Sequence, residues 1–152
     1  MTIRNRIDSS VSAPFYSIEF PSSIEAMRAP LNGAIAALTA RGWVDKDHPF
    51  YARLCLEEAV VNAITHGNQC DERRLVRVEM IEENDFCTIL VYDQGPGFVL
   101  EQVPFPNGAA QRGRGICLIR HCMDEVIYDT ERHCLVMKIR RKTHNKGVRD
   151  HE

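Results

Sequence analysis

The chain has 152 residues, 44% of them hydrophobic and 26% charged, which suits one globular domain with a sizeable core and excludes disorder throughout. Its 19 Lys and Arg against 21 Asp and Glu leave a formal charge of -2 and an isoelectric point near 6.3, so binding of nucleic acid by broad electrostatic attraction is excluded and no direct nucleic-acid partner is expected. No apolar run approaches the roughly 20 residues that span a bilayer, and Met1-Thr2-Ile3-Arg4-Asn5-Arg6 is not followed by a signal-peptide apolar region, so the reading is a soluble, cytoplasmic protein with no membrane partner.

Residues 1–13 mix Ser, Asp, Asn and Arg and read as a flexible arm, 14–140 as the domain, and 141–152 as a polar, disordered tail. Phe15-Tyr16-Ser17-Ile18-Glu19-Phe20 is rich in aromatic and β-branched residues and predicts a strand that Pro21 ends. Ser22-Ser23-Ile24-Glu25 has capping-box spacing. A helix is therefore expected to start there and run to the Arg41-Gly42 stop, kinked or broken at Pro30 and Gly33. Asp45-Lys46-Asp47-His48-Pro49 supplies an N-cap and an early-turn Pro for the next helix.

That helix, Leu54 to Gly67, is the central one. At about 100° per residue, Leu56, Val60, Ala63, Ile64 and Gly67 share one side, while Glu58, Asn62 and Thr65 gather on the opposite side. A carboxylate and an amide in so apolar a helix need a fixed partner or a polar cavity, because burying an unpaired carboxylate is costly. Arg74 to Glu82 and Phe86 to Tyr92 then read as antiparallel strands joined at Glu83-Asn84-Asp85.

Asp93-Gln94-Gly95-Pro96-Gly97-Phe98 is too Gly- and Pro-rich for regular structure, and Val99 to Arg112 is long for a connector in a compact domain. A third helix opens at Gly113-Arg114-Gly115, and Glu125–Asp129 with Cys134–Ile139 forms a second hairpin. Segregated strands and helices predict an α+β fold, a two-layer sandwich in which helices cover one face of a mostly antiparallel sheet. The six cysteines, Cys55, Cys70, Cys87, Cys117, Cys122 and Cys134, include no Cys-x-x-Cys pair and read as reduced core or helix-face residues.

Three polar clusters carry the chemistry: Glu58 with Asn62, Asp93 with Gly95 and Gly97, and Gly113-Arg114-Gly115 preceded by Arg112. Glycines at a helix N-terminus leave N–H groups open to a phosphate. An Asp leaving a strand suits an exocyclic amine such as that of adenine. The Asn62 oxygen suits Mg²⁺ whose other ligands are waters and phosphates, and Glu58, one turn earlier, is placed to orient or deprotonate a nucleophile. Each cluster alone is a weak signal, since single glycines are common in turns and a lone Glu on a helix is commonly a surface residue.

Together they resemble the GHKL ATPases, the superfamily of gyrase, histidine kinases and MutL. Glu58-Ala-Val-Val-Asn62-Ala-Ile-Thr-His66-Gly67 resembles the N box, Asp93-Gln-Gly95-Pro-Gly97-Phe98 the first glycine box, and Gly113-Arg-Gly115-Ile-Cys-Leu-Ile the second. The Ala-x-x-His-Gly ending and Gly-Arg-Gly followed by Met123-Asp124-Glu125-Val126 are most similar to anti-sigma-factor serine/threonine kinases of the RsbW type. The resemblance implies the Bergerat form of the sandwich, with ATP and Mg²⁺ as cofactors. It makes Glu58 the general base, Asn62 the Mg²⁺ ligand, Asp93 the adenine reader, Gly95 and Gly97 a turn beneath the nucleotide, and Val99 to Arg112 the lid. Gly113 and Gly115 would approach the phosphates, with Arg112 or Arg114 as a phosphate contact. It also implies a sigma factor held inactive, an antagonist protein phosphorylated on Ser or Thr, and a homodimer. The alternative is a nucleotide-gated module that sequesters a regulator without transferring phosphate. Arg132-His133 departs from the Gly-Thr or Gly-Asn often found before the last strand, and Pro30 from an uninterrupted first helix.

Overall fold

A computed structural model of the protein describes residues 13–45, 49–96 and 118–141. Its elements in chain order are strand β1 (Tyr16–Pro21), helix α1 (Arg28–Ala40), helix α2 (Phe50–Asn62) continued by a π-helical turn (Ala63–Gly67), β2 (Leu75–Glu82), β3 (Phe86–Tyr92), β4 (Glu125–Asp129) and β5 (Cys134–Arg140). Residues 118–122 are helical and lead into β4. The strands form one sheet in the order β1-β2-β3-β5-β4, with antiparallel pairing throughout. This is the α+β, helix-on-sheet architecture expected from the sequence.

Alternation along the strands decides which face is covered. Val76, Val78 and Met80 of β2, Ile89 and Val91 of β3, and Leu135 and Met137 of β5 pack into one core with Leu31, Ile35 and Leu38 of α1 and Leu56 and Val60 of α2. The opposite face carries a smaller cluster of Leu90, Cys134 and Val136, with Ile81 and Tyr92 beside it. The Arg77 guanidinium stacks over the Tyr92 ring at 4.0 Å and pairs with Glu79. Both faces of central β3 are thus buried, which explains why its apolar run is continuous rather than alternating.

Three local expectations change. Helix α1 starts at Arg28, not at Ser22, and Ser22 makes no capping box: its hydroxyl donates to the Arg74 carbonyl at 2.7 Å. Ser23 instead accepts the Ala26 amide at 3.0 Å in the turn before the helix. Because the helix starts late, Pro30 lies in its first turn, where a missing N–H breaks no helical bond, and the helix runs without a break to Ala40. Tyr16 of β1 fastens that turn by donating its hydroxyl to the Pro30 carbonyl at 2.6 Å.

The stop at Gly42 holds. With φ +80, Gly42 allows its own amide to reach Thr39 O at 3.1 Å and the Trp43 amide to reach Leu38 O at 2.9 Å, the paired bonds of a Schellman end. Trp43 is then buried, its indole N–H donating to Glu82 Oε2 at 2.6 Å. That bond, aided by Arg41 at 2.9 Å, holds the Glu82 carboxyl below its usual range against the opposing effect of burial.

Pro49 stands at the N-cap position of α2, one residue earlier than an early-turn Pro, and its carbonyl accepts the Arg53 amide at 3.0 Å. Lys46, Asp47 and His48 of the segment expected to cap α2, the arm before residue 13 and the tail beyond 141 lie outside the described residues.

Candidate functional site

The expected continuous helix to Gly67 is an α-helix for its first 13 residues and a π-helical turn after Asn62. The wider turn is closed by the Asn68 amide, which reaches five residues back to Ala63 O at 2.8 Å. Single π turns recur at functional sites because they re-aim the residues after them. Here the residue re-aimed is Asn68, which enters the interior completely. Thr65, expected beside Glu58 and Asn62, returns its hydroxyl to Val61 O at 2.8 Å instead, a bond within its own helix. His66 is exposed in the last turn, as suits a helix-terminal residue rather than a buried ligand.

Glu58 and Asn62 stay half-buried one turn apart on α2. Burial raises the Glu58 carboxyl above the ordinary glutamate value, and the neighbouring Glu57 charge adds to the rise. Asn62 Nδ2 is buried without a hydrogen-bond partner among the described residues. Native structures leave few such atoms unsatisfied, and an unpaired one calls for a ligand or water. Either end of this amide can serve, since its nitrogen can donate to a phosphate oxygen and, with the amide turned over, its oxygen can face a hydrated cation. Among the described residues no group of three or more His, Cys, Asp and Glu could hold a metal, so a cation here would keep most ligands from water and phosphate, as Mg²⁺ does.

Asp93 follows β3 directly. Its backbone amide donates to His133 O at 3.1 Å, tying it to the β4–β5 turn, and its Oδ1 accepts the Gly95 amide at 2.7 Å. Burial raises its carboxyl above the ordinary aspartate value, offset in part by the Gly95 amide and by the nearby His133 and Arg74 charges.

Gly95 is buried for a reason the sequence did not suggest. A Cβ there would lie 1.9 Å from Gly67 O, and a Cβ on Gly67 would lie 2.5 Å from Asp93 Cγ. The glycines of the N box and the first glycine box therefore mark a close approach, of the Gly95 backbone to that of Gly67 and of the Asp93 side chain to Gly67. Beside the turn expected at Gly95, this close approach is a separate reason for a glycine there; among the described glycines only Gly42 has positive φ.

Asn68 and Gln94 were missed. Asn68 donates from Nδ2 to Ser22 Oγ at 2.7 Å and to Leu75 O at 3.1 Å, while its Oδ1 accepts the Gln94 amide at 2.7 Å. Gln94 Oε1 in turn accepts the Leu75 amide at 2.6 Å. In sequence an Asn after Gly67 looks like a helix stop, and no spacing rule marks it as buried.

Gly97, Arg112, Gly113, Arg114, Gly115, the lid from Val99 to Arg112, and Cys117 lie outside the described residues. Of the other cysteines, Cys55, Cys87 and Cys134 are buried as expected, and burial pushes their thiols up to about 12, 12 and 11. Cys70 departs from expectation, being exposed in the loop after the π turn with φ 59.

An antiparallel sheet backed by helices, with a Glu and Asn one turn apart on a helix that abuts Asp-x-Gly at a strand end, defines a GHKL-type ATPase domain. The chain belongs to that family: the profile described as Histidine kinase-like ATPase domain matches residues 20–139. Membership implies ATP binding. The Anti-sigma F factor of Clostridium beijerinckii (strain ATCC 51743 / NCIMB 8052) is 32% identical over 122 residues, covering 76% of this chain and 85% of that protein. No helix among the described residues is long and apolar enough to cross a membrane.

Proposed function

We propose that the protein is an ATP-dependent serine/threonine kinase and anti-sigma regulatory factor that phosphorylates a Ser or Thr of an antagonist protein in a partner switch. The observation that carries the kinase reading is the pair on α2, a carboxylate made more basic by burial one turn from an amide with an unsatisfied buried atom. The similarity to an anti-sigma F factor supports the sigma-factor side of the reading.

In this reading Asp93 accepts a hydrogen bond from the adenine amine through its carboxylate, and Asn62 faces the phosphates. Asn62 would hold Mg²⁺, which when bound would supply neutralisation of phosphate charge. Glu58 accepts the proton of the acceptor hydroxyl as its oxygen bonds the γ-phosphorus. The bond from that phosphorus to the β–γ bridging oxygen breaks, the electron pair leaves with ADP, and the products are a phosphoester, ADP and a protonated Glu58.

Calorimetric titration with ATP and Mg²⁺ tests the site. The wild type is expected to bind saturably, and Asp93→Asn to bind about 10 to 100-fold more weakly, the worth of one hydrogen bond to a charged group. Equal affinity in both proteins would remove Asp93 as the adenine reader.

A further inference from the structure

We propose that Asn68 is a positioning residue for base recognition: by holding the Gln94 amide it sets where the Asp93 carboxylate stands, and so sets the preference for a base with an exocyclic amine. This rests on the reading of Asp93 given above.

Asn68 is fully buried, and its side chain uses both amide hydrogens and its oxygen. Its three partners belong to three segments, Ser22 after β1, Leu75 at the start of β2 and Gln94 after β3. The backbone around Asp93 is therefore clamped on both sides, since the Asp93 amide donates to His133 O at 3.1 Å and the next amide, Gln94, donates to Asn68 at 2.7 Å. A second tie runs from the Gln94 side chain to the Leu75 amide.

With the backbone held, the carboxylate has little freedom. Oδ1 is taken by the Gly95 amide, and Oδ2 lies across Gly67, 2.6 Å from where a Cβ would be. No described residue bonds Oδ2, which leaves it as the acceptor for a ligand amine. A buried, fully paired network specifies one geometry because any displacement leaves a polar group unpaired. The Gln94 amide would be such a group if Asn68 moved.

A purely structural Asn would lower stability and affect all nucleotides alike. A positioning Asn affects discrimination. Inosine triphosphate provides the contrast, since it carries a carbonyl where ATP carries the amine and cannot donate to Asp93. The experiment titrates wild type, Asp93→Asn, Asn68→Ala, Asn68→Asp and Gln94→Ala with ATP and with inosine triphosphate, below each protein's unfolding midpoint.

The wild type is expected to prefer ATP, and Asn68→Ala to lose about tenfold of that preference, the value of 1.4 kcal/mol at one hydrogen bond. Asn68→Asp keeps an oxygen for the Gln94 amide and is expected to stay within about twofold of wild-type preference, although both variants melt earlier. Gln94→Ala, an exposed position, folds regardless and loosens the same peptide, for an expected loss of about threefold. Unchanged preference in both Asn68→Ala and Gln94→Ala overturns the role of Asn68 while leaving Asp93 as reader. No ATP preference in the wild type, or none lost in Asp93→Asn, overturns the reading of Asp93 and this inference with it.

Discussion

Glu58→Ala is expected to lower phosphoryl transfer about 10² to 10⁴-fold while ATP binds as in the wild type, since a positioned general base contributes that much to the rate and nothing to the ground state. The barrier rises by about 3 to 5 kcal/mol. Radiolabelled transfer to the antagonist, beside calorimetry of the same variant, separates the two effects. Equal loss of binding and transfer would make Glu58 a binding residue.

The pH profile carries a second signature of the same group. Only ionised Glu58 can accept a proton, and burial holds its carboxyl above the ordinary glutamate value. Transfer is therefore complete well above that raised value and falls as pH drops through it, about tenfold per unit below. The acid limb should lie at higher pH than for an exposed glutamate. In Glu58→Ala that limb disappears from the residual rate.

Gly95→Ala is expected to be the most damaging substitution of a small residue in the described chain. A methyl group 1.9 Å from Gly67 O and 2.6 Å from Gly67 C meets backbone, which no rotamer change can clear. Overpacking of this kind costs about 3 kcal/mol, or roughly 10 °C in melting temperature for a chain of this size. Nucleotide binding is lost with it, because Gly95 moves and takes its hydrogen bond to Asp93 along.

Gly42→Ala supplies the contrast. Its φ is +80 but nothing stands within 4 Å of an added methyl, so the cost is conformational, about 1 kcal/mol. ATP affinity is unaffected, since Gly42 ends α1 away from the site. Thermal melting and calorimetry on the two variants distinguish a contact glycine from a turn glycine. Equal behaviour would refute the assignment of Gly95.

Much of the fold was legible because alternation and breakers are local. The strand limits Phe86–Tyr92 and Glu125–Asp129 coincide with the expected runs, since Asp85 and Asp93 bound the first and turn residues bound the second. Helix starts were less legible. Ser22 has capping-box spacing, but its hydroxyl serves Arg74 and Asn68 across the fold, and nothing within the motif reveals that competition. Pro30 looked disruptive only because the helix was begun six residues early.

At the candidate site, Glu58, Asn62 and Asp93 stood out because a polar group in an apolar helix or at a strand end demands a reason. Asn68 did not, because its partners are distant in sequence and its position after Gly67 had a simpler explanation. The π turn was hidden for the same reason, as it depends on where Asn68 must go. At Gly95 the residue type stands out in the sequence but its contact with Gly67 does not, since close approach is a property of two segments.

The protein contains one tryptophan, and its placement makes it a reporter. Trp43 sits against Glu82 at the far end of β2, whereas Leu75 at the near end joins the Asn68 network. The eight residues of β2 run from one to the other, a span on the order of 20 Å. Its indole is buried, bonded through nitrogen and covered by the Arg141 guanidinium at 3.9 Å, so its emission is sensitive to loss of packing there. Fluorescence can thus follow unfolding without a nucleotide quenching the signal by contact. Conversely, any change in emission when ATP is added would have crossed the whole length of the sheet, making this one ring a built-in gauge of mechanical communication through the domain.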